Sequence, residues 1–111
     1  MTTLEELDGL FTKSGVSLAA LGIRDIGLLR IDALNAVEIA RHAKLPILGG
    51  DVYFRRDDRI ELAYANWQVK PKPPEEHDTY LLRSWDNAET YIKNFPEPSE
   101  ADVLFGIVFG R

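Results

Sequence analysis

The residues that could do chemistry are few, and their spacing argues against most of it. His42 and His77 are the two histidines, and neither stands three or four residues from another histidine or within a group at metal-ligand spacing. With no cysteine in the chain, no metal site, disulfide or thiolate chemistry is expected. His77, Asp78 and Ser84 are the residue types of a hydrolytic triad. Seven residues along a helix is two turns, about 10 Å, which exceeds the hydrogen-bond reach of a nucleophile and its base. Gly49-Gly50-Asp51 has the glycines of a phosphate loop, but no Gly-Lys-Ser/Thr follows and a strand pattern comes next in place of a helix. A tight turn feeding a strand explains it better. Asp51 and Glu61 form a conceivable acid-base pair. Beside Arg55 and Arg59, however, such carboxylates make solvated cross-strand ion pairs worth about 0.2–1 kcal/mol each. Neither catalytic residues nor a cofactor is expected.

The elements that position these residues follow from apolar spacing. Residues 3–13 place Leu4, Leu7, Leu10 and Phe11 at helical spacing behind a Thr cap, with Glu5, Glu6 and Asp8 in the opening turns. Gly15, Gly22 and Gly27 then break up an apolar segment, which predicts a packed connection with room for one helical turn. Residues 30–44 carry the stripe Ala33, Leu34, Val37, Ala40 and predict a second helix ended by Pro46. After a short extended piece at 46–48, residues 51–55 and 59–69 predict a β-hairpin around Arg56-Asp57-Asp58. A three-residue loop is preferred, because it gathers Val52, Phe54, Ile60, Leu62 and Tyr64 on one face and leaves Asp51, Tyr53, Arg55, Arg59, Glu61 and Trp67 on the other. That loop requires a left-handed residue near Asp58. The face bearing Tyr53 and Trp67 is either covered by a helix or a binding surface.

Lys70-Pro71-Lys72-Pro73-Pro74 forms a stiff link, since three of its five residues lack an amide proton. A third helix is predicted over about 75–94, with Leu81, Trp85, Ala88 and Ile92 inward, Arg83 and Asp86 outward, and Pro96 and Pro98 beyond its end. Residues 102–109 are apolar at both parities, as in a strand covered on both faces, and are placed inside the sheet. The expected fold class is α+β: a mainly antiparallel sheet, hairpin plus C-terminal strand, against about three helices in one domain spanning 1–111.

Composition agrees. The 111 residues are 45% apolar and 28% charged, with a net charge of -5 from 13 basic and 18 acidic side chains. A chain of this size exposes about 6,000 Å² when folded, enough burial for one ordinary core. Neither a secretion signal nor an apolar run of bilayer length is present, so a cytoplasmic location is expected. The acidic balance and the absence of a Lys/Arg stripe argue against nucleic-acid and membrane partners. A monomer or weak homo-oligomer is expected.

Leu45-Pro46-Ile47-Leu48-Gly49-Gly50-Asp51-Val52-Tyr53, then Ala65-Asn66-Trp67, then Arg83-Ser84-Trp85 with Ala88, Tyr91-Ile92 and Asn94-Phe95-Pro96, resembles the immunity protein 40 family of bacterial polymorphic toxin systems. The similar stretch runs from about Gly22-Ile23-Arg24-Asp25 to Pro96, a core of about 22–96. The resemblance implies an α+β protein that binds and neutralises a cognate toxin domain stoichiometrically, with no turnover of its own. The expected contact surface is Asp51, Tyr53, Arg55, Glu61 and Trp67, with Arg83 and Asp86 as neighbours from the third helix. Each has a folding role as its alternative: Asp51 capping the glycine turn, Arg83 pairing with Asp86, Trp67 in the core. A small ligand-binding or regulatory domain, with its pocket between hairpin and third helix, is the other functional class.

Overall fold

The computed structural model describes residues 3–23 and 25–110, with side chains from residue 5 onward. The Thr cap, the Leu4 side chain and Arg24 therefore lie outside the described residues. In chain order the elements are α1 (Thr3–Ser14), β1 (Val16–Ser17), a 3₁₀ turn (Ala19–Leu21), β2 (Ile26–Leu29), α2 (Arg30–Ala43), β3 (Ile47–Arg56), β4 (Arg59–Gln68), α3 (His77–Asn94) and β5 (Asp102–Phe109). The strands form one antiparallel sheet in the order β1-β2-β5-β3-β4. The fold is α+β, as expected. The expected second and third helices and the final strand are all present, and the third helix starts two residues late, at His77.

The C-terminal ends of α2 and α3 have local causes, whereas the start of α2 lacks one. Leu29 stands where a polar N-cap would serve α2 and makes no side-chain cap. Lys44, in the left-handed conformation at φ 55°, closes the other end by donating its amide to the Ala40 and Arg41 carbonyls. Pro46 forbids another turn. At the C-terminus of α3 the Arg30 guanidinium donates to the Ile92 carbonyl and pairs with Glu97 at 2.7 Å. A cation against the last carbonyls of a helix is electrostatically favourable.

The helices α1, α2 and α3 lie on one side of the sheet. Ala33, Ala36, Val37 and Ala40 of α2, with Leu81, Trp85, Ala88 and Ile92 of α3, bury themselves against Leu28, Val52, Val103, Phe105 and Ile107. Phe105 is fully buried beneath them, and β5 is hydrogen-bonded to β2 and β3 along its two edges. Both parities of β5 are buried because the opposite face is covered too. There residues 16–23 fold over Leu104 and Tyr53 to form a second, smaller cluster with Leu18 at its centre. β2 was not expected: two leucines beside Gly27 are too short a run to signal a strand.

The hairpin register departs from expectation. Arg56 pairs with Arg59, Arg55 with Ile60, Phe54 with Glu61 and Tyr53 with Leu62, which leaves a two-residue loop of Asp57 and Asp58. The left-handed residue is Asp57, at φ 54°, and not Asp58. One residue fewer in the loop exchanges the faces of β4 relative to β3. Trp67 thereby joins Gly50, Val52 and Phe54 on the helix-covered face, opposite to Tyr53. The premise behind the longer loop, that only one hairpin face is apolar, fails because residues 16–23 provide a second cover for Tyr53 and Ile60.

A further irregularity lies midway. Tyr53 pairs with Leu62 but Asp51 pairs with Asn66, so Ala63, Tyr64 and Ala65 together face Val52. Two surplus residues bulge from β4, with Tyr64 left-handed at φ 56°.

Candidate functional site

The string 45–53 is held by α3 from one side. The Trp85 indole donates to the Leu45 carbonyl at 2.7 Å, and Ser84 Oγ accepts the Ile47 amide at 3.2 Å while donating to the Leu81 carbonyl at 2.8 Å. Ser84 is fully buried, so these bonds satisfy a hydroxyl that would otherwise be costly there. A Cβ on Gly49 would collide with the Trp67 backbone, and one on Gly50 with the Trp67 ring and the Gly106 carbonyl. The two glycines thus admit Trp67 flat against β3, where it stacks on Tyr91 at 4.7 Å. Val52 fills the main core and Tyr53 the second cluster. In the Gly-Gly-Asp-Val-Tyr string, only Asp51 is exposed.

The outer face of the hairpin, beyond the cover of residues 16–23, is open. Asp51 and Asn66 stand side by side across β3 and β4 and both line two adjoining cavities. One, of about 280 Å³, is formed at the bulge with Tyr53, Leu62, Tyr64 and Ala65. The other, of about 470 Å³, lies toward the hairpin's open end with Leu48, Gln68, Val108 and Tyr80. Leu62 is 45% exposed and Tyr64 90% exposed, while Leu48 and Val108 add further exposed apolar surface. Polar Asp51, Asn66 and Gln68 interleave with these apolar groups.

The residues expected at the contact surface are dispersed. Asp51 and Tyr53 share the outer face. Arg55 pairs with its cross-strand partner Asp102 at 2.8 Å, tying β3 to β5. Glu61 sits by the hairpin tip between Arg56 at 3.4 Å and Arg59 at 3.6 Å. Trp67 is 8% exposed on the inner face. Arg83 pairs with Glu75, with two bonds of 2.8 Å, and not with Asp86. Asp86 instead binds Arg41 at 2.9 Å, joining α3 to α2. Three exposed residues of the open face, Leu62, Tyr64 and Asn66, lie outside the expected set. Asn66 did stand in the Ala-Asn-Trp piece of the resemblance, which was the available signal.

Electrostatics separate the two sides. Burial, reinforced by Asp51 and Asp25, raises the Tyr53 phenol above its ordinary range, so it stays protonated at neutral pH. Paired with Arg83, Glu75 is held down at about 2. No group of three or more potential metal ligands occurs among the described residues.

No curated protein matches the chain, and no solved structure does. The family model for immunity protein 40 matches residues 17–109, from the start of the segment over the second cluster through the last strand. This span exceeds the stretch of resemblance at both ends and takes in all of β5. The chain belongs to the immunity protein 40 family.

Proposed function

We propose that this protein neutralises a cognate toxin domain of a bacterial polymorphic toxin system by binding it one to one in the cytoplasm, with no covalent step. The contact surface in this reading is the open outer face of the hairpin: Asp51, Leu62, Tyr64 and Asn66, with Tyr53 beneath. Arg55 and Glu61 flank it within ion pairs, and Trp67, Arg83 and Asp86 support it from the helix side. The observation that carries the reading is Tyr64. A tyrosine held left-handed costs of order 1–3 kcal/mol, and at 90% exposure this ring offsets little of that by packing. Aromatic side chains displayed beside interleaved polar groups are typical anchors of protein interfaces.

Co-expression with the toxin domain encoded alongside tests the reading by survival and co-purification. Tyr64→Gly relieves the backbone and removes the ring, so the variant should keep its melting temperature or raise it while toxin affinity falls at least tenfold. Death of the cells despite abundant folded protein would refute neutralisation. Undiminished affinity in the variant would move the contact elsewhere.

The 470 Å³ cavity favours a second reading, a ligand-binding domain. Its volume is within the usual range for small molecules, and Tyr80 brings α3 into its wall. Saturable binding of a metabolite by wild type, lost when Gln68 is replaced by Trp, would support that class.

A further inference from the structure

The two cavities of the outer face follow one another along the hairpin and meet at Asp51 and Asn66. From Tyr53 in the smaller to Leu48 in the larger, they span about 16 Å of β3 at ordinary strand rise, room for about five residues of extended chain. Within the larger cavity, Gly49 lies between Val108 of β5 and Gln68 of β4 and presents no side chain. The exposed Leu48 and Val108 give the cavity an apolar wall there. Two residues further along β3, on the same face, Asp51 supplies an exposed carboxylate.

The opposite wall is polar, and its spacing is informative. Asn66 and Gln68 flank the inward Trp67, so they share the outer face and recur at about 6.6 Å. Same-facing peptide groups of an extended chain recur at the same interval. Both side chains are exposed and line the larger cavity, and neither amide hydrogen-bonds to another described residue. Each carries a donor and an acceptor, as a peptide unit does. Asp51 likewise forms no ion pair among the described residues. Lys70, which also lines this cavity, stands four residues from Asn66, beyond the end of β4, and does not reach the carboxylate.

We propose that an extended segment of the toxin lies in this groove. Its main chain is bonded by the Asn66 and Gln68 amides, an apolar side chain is seated over Gly49, and a basic one, two positions away, faces Asp51. The proposal rests on the toxin-binding reading and gives the form and chemistry of the partner. Main-chain bonds supply affinity and pockets for alternate side chains supply specificity, the usual division when extended peptides are recognised. Charge selects the occupant: Asp51 and the net charge of -5 both favour a basic segment. A second copy docking symmetrically about the Asp51 and Asn66 pair would instead set Asp51 against its own counterpart, and like charges so placed repel.

Two arms test this. In the first, overlapping synthetic peptides of twelve residues, tiling the toxin domain encoded alongside, are titrated with the full-length protein by fluorescence polarisation. Saturable binding is expected from one peptide or from neighbours that overlap, sharing an apolar and a basic residue two positions apart. Alanine at either position should weaken it at least fivefold. In the second, the affinity of the intact toxin domain is measured for the double variant Asn66→Ala, Gln68→Ala and for Asp51→Asn, each expected to fall at least tenfold with the melting temperature held. Intact toxin bound with no peptide bound, or undiminished affinity in the double variant, overturns the groove while leaving neutralisation standing. Failure of the wild type to bind the intact toxin refutes neutralisation, and the proposal falls with it. A homodimer that dissociates in the double variant, or a small molecule retained by wild type and lost from that variant in native mass spectrometry, would give the groove another occupant and overturn the proposal.

Discussion

Arg83 reaches back from α3 to Glu75, with one nitrogen also donating to the Lys70 carbonyl at 2.6 Å, so a single guanidinium fastens the proline-rich link to the helix that follows. The Arg83 hydrogen bond is the main cause of the Glu75 pKa of about 2, and the Lys72 amide adds to it. An unfolded glutamate titrates near 4.3, so between these values the unfolded chain binds more protons than the folded one. The contribution of the pair is therefore complete above about pH 4.5 and is lost as pH falls toward 2. Glu89, lowered by Lys93 and Arg41, has the same sign. Glu75→Gln should flatten the acid side of the stability profile without abolishing it, read as denaturation midpoints from pH 6 to 2.5; identical slopes would refute the role. Trp67 poses a different problem at this scale. Its Nε1 is buried and has no hydrogen-bond partner among the described residues. Trp67→Ala should cost about 3–5 kcal/mol, as usual for truncating a buried aromatic. Trp67→Phe should cost much less, because it also removes an unsatisfied donor. Urea denaturation of both variants measures the contrast, and equal losses would contradict it.

The hairpin depends on its two-residue loop, and that loop on Asp57 adopting φ 54°. Glycine reaches this region without the Cβ penalty of roughly 1–2 kcal/mol. Asp57→Gly should raise stability by about 0.5–1 kcal/mol with no change in the fold, and a loss measured by thermal unfolding would show that the aspartate side chain holds the turn. The same loop explains how far the sequence could be read. The helical stripes around Val37 and Leu81 and the two-sided apolar run at 102–109 were legible because each pattern has a single geometric solution. The hairpin's existence was legible, but its register was not, since both candidate registers bury apolar residues and the choice turned on a cover that lies some thirty residues earlier. The bulge was invisible for a subtler reason. Two surplus residues preserve alternation, so Leu62, Tyr64 and Asn66 keep the parity of an unbroken strand. Of the outer face, Asp51 and Tyr53 were accessible through the Gly-Gly-Asp-Val-Tyr string. Asp25 was not, because it sits in a segment without periodicity and approaches Gly106 only through the pairing of β2 with β5.

The whole molecule is somewhat more open than its mass requires. It exposes 6961 Å², against about 6,000 Å² expected from scaling, and measures 44 × 31 × 23 Å. The extra surface accords with a sheet covered by helices on one side and only partly covered on the other. Among the described residues, no helix is long and apolar enough to cross a membrane. The net charge of -5 acts over distances longer than any single contact. For a basic toxin domain it should accelerate encounter, so association should slow severalfold between about 50 and 300 mM salt while dissociation changes little, as measured by stopped flow. Equal salt sensitivity of both rates would place the charge effect in the bound complex rather than in the approach.

The bulge in β4 has an effect beyond the cavity it creates. β4 is a long outermost strand in a sheet that also displays apolar groups, a combination that ordinarily invites copies of a protein to zip together into fibres. The kink at Tyr64 interrupts the row of amides and carbonyls that a visiting strand would need, and at the opposite margin β1 is only two residues long. The protein can thus keep a sticky face exposed without polymerising through it. Excising the two surplus residues would straighten that margin and turn a guarded border into a template for self-assembly.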